Sequence, residues 1–95
     1  MSKKDELVHE IKAQIDEWSA EIEILEKQIE KAKPDIKVKQ EEQLSLLRNK
    51  YYEAKQKLLD VQSSSEEAWD DIKEGIEDSW KSIQSAFSKA LLRFK

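Results

Sequence analysis

Few side chains in this sequence are of a type that does chemistry, and they are thinly placed. Glu6 and His9 lie three apart, the Glu-x-x-His spacing that puts a carboxylate and an imidazole on one helical face in di-iron bundles. Such a site needs a second pair and further inward carboxylates. His9 is the sole histidine, so it reads as a surface side chain, and only pairing between subunits would complete a metal site. The acidic pairs Glu41-Glu42 and Asp70-Asp71 are adjacent in sequence; neighbours on a helix point in different directions, which suits solvated faces rather than paired acid-base work. Cysteine is absent, which removes disulfides, thiol catalysis and thiolate metal sites. With one glycine and one histidine there is no phosphate-binding loop, nucleophile elbow or Ser-His-Asp set. We expect no enzyme here, and assign no catalytic, metal or cofactor-binding residue.

Charge narrows the partners. The net charge is −4, from 21 acidic and 17 basic side chains that interleave, so no broad positive field exists to neutralise a phosphate backbone. The densest basic patch is Lys31, Lys33, Lys37 and Lys39 around Pro34, without the arginines or aromatics that stack bases. It reads as a solvated helix end, and nucleic acid is not an expected partner. The opening MSKKDELVHE is polar where a signal peptide has its apolar core, and no apolar run approaches the ~18 residues of a membrane span. The expectation is a soluble, cytoplasmic protein.

What the chain does carry is a stripe of large apolar residues at helical spacing. Val8, Ile11, Ile15, Trp18, Ile22, Leu25, Ile29 and Ala32 alternate in steps of three and four, and Leu44, Leu47, Tyr51, Ala54, Leu58 and Val61 repeat the alternation. From Trp69 the spacing becomes three, four, four through Ile72, Ile76, Trp80, Ile83, Phe87, Leu91 and Phe94. The first pattern is the heptad of left-handed coiled coils. The second is an eleven-residue repeat of about 3.67 residues per turn, which favours a straight or slightly right-handed seam. About half of the residues are Ala, Glu, Lys, Leu or Arg, the composition of long helices.

Two interruptions divide the stripe. Pro34 lacks an amide hydrogen and disfavours helix at the residue before it, so the chain either turns there or kinks within one long helix. At Gln62-Ser63-Ser64-Ser65-Glu66-Glu67, Ser63 with Glu66 or Ser64 with Glu67 matches a capping box and predicts a turn near 63–65. From Glu66 to Asp78 there are seven acids against Lys73 alone, whereas Ser79 to Lys95 holds Lys81, Lys89, Arg93 and Lys95 with no acid; the macrodipole of a fresh helix favours that order.

The single domain, 1–95, is therefore read as all-α, with helices about 3–32, 35–62 and 65–94. The expected forms are a long antiparallel helical hairpin or coiled coil, or its further closure into a three-helix bundle. A reversal at 63–65 would set Leu47 beside Trp80 and Leu44 beside Ile83. It would also face Arg48, Lys50, Lys55 and Lys57 with Asp71, Glu74, Glu77 and Asp78. A continuous helix from 3 to 62 would run ~90 Å and leave the seam from Val8 to Ala32 exposed in a monomer, which predicts oligomerisation. The expected centre of the contact is Ile15, Trp18, Ile22, Leu25 and Ile29, while Leu47, Leu58, Trp69, Ile72, Trp80, Ile83 and Phe87 hold the hairpin together.

Two segments carry a resemblance: Ile11-Lys12-Ala13-Gln14-Ile15-Asp16-Glu17-Trp18, similar to LKAQLDEW, and a duplicated AWEDLK-type motif at Ala68-Trp69-Asp70-Asp71-Ile72-Lys73 and Asp78-Ser79-Trp80-Lys81-Ser82-Ile83. A basic end, Leu92-Arg93-Phe94-Lys95, follows. The chain resembles a group of small uncharacterised bacterial coiled-coil domain proteins, from which Pro34 departs. The resemblance implies a bacterial, helical, non-enzymatic protein and supplies no catalytic residue.

The functional expectation is a structural or interaction protein that self-associates through its coiled-coil seam, as a homo-oligomer or with a heterotypic coiled-coil partner. The alternative is a peripheral membrane or lipid-binding, or stress-protective, amphipathic protein. In that reading Trp80, Phe87, Leu91, Leu92 and Phe94 of the basic last helix meet a membrane surface.

Overall fold

The computed structural model describes residues 3–94; Lys95 of the basic end lies outside the described residues, as do Met1 and Ser2. Three helices follow one another, α1 (Lys3–Glu30), α2 (Pro34–Ser63) and α3 (Glu66–Leu92). Each begins with acids in its first turn, Asp5 and Glu6, Asp35, and Glu66 and Glu67, where the exposed amides of a helix start favour negative charge.

The first break is a turn rather than a kink. Lys31 and Ala32 donate back to Gln28 and Ile29 at 3.2 and 3.0 Å, tightening the end of α1. Lys33 then adopts φ −66°, ψ 151°, and Pro34 takes the first position of α2, where its missing amide hydrogen costs nothing. No described residue has positive φ, so neither reversal calls for glycine.

The second break uses its serines differently from the expected capping box. Ser63 Oγ donates back to the Asp60 carbonyl at 3.3 Å and Ser64 Oγ to Val61 at 2.7 Å. Both satisfy carbonyls at the end of α2. Ser65 is the cap of α3, accepting from the Ala68 amide at 3.1 Å, so neither Ser63 with Glu66 nor Ser64 with Glu67 forms the reciprocal pair.

Up, down and up again, the helices make a rod of 52 × 18 × 18 Å. An arm of ~90 Å is excluded by that length. Lys4 at the start of α1 donates to the Ser64 carbonyl in the far turn, which closes α1 against α3 as a parallel neighbour. The fold is thus the three-helix bundle.

The core runs the length of the rod. Leu7, Ile11, Ile15, Trp18, Ile22, Leu25 and Ile29 of α1 are buried against Leu44, Leu47, Ala54 and Val61 of α2 and Trp69, Ile76, Trp80, Ile83, Phe87 and Ala90 of α3. Trp18 stacks on Phe87 at 4.2 Å and 9°, and tilts against Trp80 at 5.5 Å, so aromatic rings fill the space between α1 and α3. Arg48 meets Glu26 of α1 and Arg93 meets Gln43 of α2. That register sets Ala54, fully buried, close to the level of Trp18 and Trp80, where a methyl group leaves room for the rings.

Seven positions of the periodic stripe are not fully inside, among them Ala32, Tyr51, Leu91 and Phe94, which are half-buried. At the start of α1 Leu7 is buried and Val8 only partly so, because the seam begins with steps of four, at 7, 11 and 15. Leu58 packs against the core half-buried. Ile72, expected inside, is 38% exposed; at ~100° per residue it stands about 80° round the helix from Trp80, at the margin of the buried stripe.

Candidate interaction surface

The chemically capable residues do not converge. His9, Glu6, Glu41, Glu42, Asp70 and Asp71 are all exposed, and no group of His, Asp or Glu among the described residues is arranged to hold a metal ion. Of the lysines flanking Pro34, Lys37 borders a groove with Glu26, Glu30, Glu41 and Arg48, so that corner is of mixed charge. Trp18, Trp69 and Trp80 are 5%, 3% and 2% exposed, which makes them packing residues. No helix among the described residues is long and apolar enough to cross a membrane.

The expected seam is brought together completely, but within one chain. Ile15, Trp18, Ile22, Leu25 and Ile29 are buried by α2 and α3 of the same molecule. A seam-to-seam contact between copies would require the bundle to open. Leu47, Trp69, Trp80, Ile83 and Phe87 lie in the same core.

The charge match foreseen between α2 and α3 takes another form. Among the described residues the ion pairs are Arg48 with Glu26 of α1 at 3.3 Å, Lys50 with Glu53 at 3.1 Å, and Lys73 with Asp70 at 4.0 Å. Lys55 sits over the Tyr51 ring, 4.8 Å from its centroid. The acids of early α3 are thus left facing solvent, with no basic partner from α2.

Large apolar side chains remain at the surface. Ile24, Ile36, Val38, Leu46, Tyr52, Leu59, Ile72 and Leu92 are exposed, and five of these eight belong to α2. Tyr52 and Leu59 are seven apart and Val38 fourteen before Tyr52, so the three share the side of α2 that faces away from the core. That spacing was the legible signal, masked by the stronger stripe on the opposite face.

Grooves lie between each pair of helices, α2 and α3 included. A groove of about 470 Å³ is floored by Ser79, Ser82 and Ile83 and walled by Lys50, Glu53 and Lys57. Beyond it, about 240 Å³ more lies among Leu46, Ala86, Ala90, Lys89 and Arg93. Small side chains of α3, Ser79 and Ser82, leave the larger space open. A third, of about 290 Å³, separates α1 from α3 beside Glu6, Glu10 and Glu77; Trp80 borders it, and its buried Nε1 donates to no group among the described residues. Open grooves of this kind suit the lodging of another helix better than the enclosure of a small molecule. No protein-family model, curated protein or solved structure matches the chain.

Proposed function

We propose that this protein is a non-enzymatic structural or interaction module that works by contact between helices, and that it self-associates as a closed bundle. The observation that carries the reading is the second set of apolar side chains, exposed on a molecule whose main stripe is already buried. Five of them sit on α2, a helix that offers apolar residues to both the core and the solvent. Helices apolar on two sides are those that pack on two sides. Sedimentation equilibrium across micromolar concentrations tests this: the mass should rise above the 11.2 kDa of one chain. A constant monomer mass would remove self-association and leave a heterotypic helix as the partner.

A second reading rests on the end of α3. Leu92 is 67% exposed and follows Lys89 and precedes Arg93, the arrangement of an interfacial helix end that dips an apolar side chain beneath anionic headgroups. Cosedimentation with anionic vesicles, compared with neutral ones, should then carry the protein down. Recovery in the supernatant from both would eliminate this reading.

A further inference from the structure

We infer that the α2–α3 face is the self-association surface, occupied by α3 of a second copy running antiparallel about a two-fold axis level with Trp80 and Lys81. The inference rests on the self-association proposed above, and names its face and register.

Three observations meet on this face. The first is the placing of apolar surface. Ile72, 38% exposed, gives an apolar edge at one end of the face, and the hollow lined by Leu46, Ala86 and Ala90 with Lys50, Lys89 and Arg93 lies at the other, about 21–27 Å along the same helix. An antiparallel two-fold places each Ile72 at the other copy's hollow, so an apolar edge and a recess on one surface meet twice. That reciprocity is what an isologous interface demands.

The second is charge. The early outer face of α3 carries Glu67, Asp71 and Asp78, and the late part carries Lys89 and Arg93. No ion pair within the chain engages any of them among the described residues. Reversal about the same axis brings Asp71 to the second copy's Lys89 and Glu67 to its Arg93, and Asp78 approaches its Lys50 on the groove wall. A parallel arrangement would instead stack acid on acid.

The third is the sole glycine of the chain. Gly75 lies mid-helix without positive φ, and a Cβ built there meets nothing within 4 Å. The bundle itself therefore has no need of a glycine at a position where it weakens the helix. In the antiparallel register Gly75 faces Ala86 of the second copy, where two backbones approach closely.

The experiment uses the intact chain and four variants, read by sedimentation equilibrium and circular dichroism. Gly75→Gln should keep or raise helicity and thermal stability, because the monomer has open space there, while weakening association at least tenfold. Asp71→Lys and Lys89→Asp should each weaken it, and the double variant should restore it. Because the chain holds no cysteine, Ser79→Cys gives a direct probe: near the axis it should form a disulfide-linked dimer on mild oxidation, whereas Asp16→Cys on the exposed side of α1 should not. A wild-type protein that stays monomeric overturns both this inference and the self-association reading. An oligomer that Gly75→Gln leaves intact, and that Ser79→Cys does not cross-link, overturns this face alone.

Discussion

Trp18 touches both of the other large rings of the bundle's middle, Phe87 at 4.2 Å and Trp80 at 5.5 Å between centroids, and it is 5% exposed. Its removal leaves a cavity against two rings of one helix, α3, whose rigid backbone keeps both from relaxing inward. Trp18→Ala is expected to cost about 3–5 kcal/mol, a large fraction of the ~5–14 kcal/mol typical for a chain of this size. Tyr52 is also a large truncation on paper, yet it is 61% exposed, and Tyr52→Ala should stay within about 0.5 kcal/mol in the monomer. Urea unfolding followed at 222 nm compares the two directly. Equal midpoints would mean that the ring cluster does not hold α1 to α3.

At the scale of the element, the instructive segment is Ser63-Ser64-Ser65, three identical side chains of which two close α2 and one opens α3. Ser65 caps α3, and Ser65→Ala should cost about 0.5–2 kcal/mol. Ser64 is half-buried and closes α2 through Val61, so Ser64→Ala should cost about 0.5–1.5 kcal/mol. Ser63, exposed and bonded at 3.3 Å, should be nearly silent. Thermal unfolding of the three variants ranks them, and a larger loss at Ser63 than at Ser65 would contradict the assignment. The existence of a break here was legible because serines and acids follow the end of an apolar period. Which serine caps was not legible, since each is a competent acceptor and only the backbone path through the turn selects among them. The same limit applied at Pro34: its ring announces an interruption, but the choice between kink and reversal depends on whether distant Ile15 and Trp18 find α2 and α3 to cover them. The α2–α3 charge match failed for a related reason. Arg48 lies on the α1 side of α2 and reaches Glu26, a rotation about the helix axis that residue order alone does not fix. Ile72 shows it again, since a step of three from Trp69 is compatible with the core or with its margin.

For the whole molecule, the decisive matter is where the long α1 seam is buried. If the stripe from Ile15 to Ile29 were a contact between copies, replacing Ile22 and Leu25 by Asp would separate folded subunits. In the bundle both residues are internal, 6% and 5% exposed, and no basic side chain is buried among the described residues to receive a carboxylate. Two carboxylates placed there must either ionise in an apolar interior or take up protons, and each course costs several kcal/mol. Against a total stability of ~5–14 kcal/mol, the double variant should lose most of its helical signal instead of merely halving its mass. Ile24→Asp supplies the control: Ile24 lies between them in sequence but is 52% exposed, so its helicity should match the wild type. Circular dichroism and sedimentation on the same samples separate the two cases. A double variant that remained fully helical while its mass fell would return the seam to the interface between copies, and would require α1 to lie elsewhere than along Phe87 and Trp80.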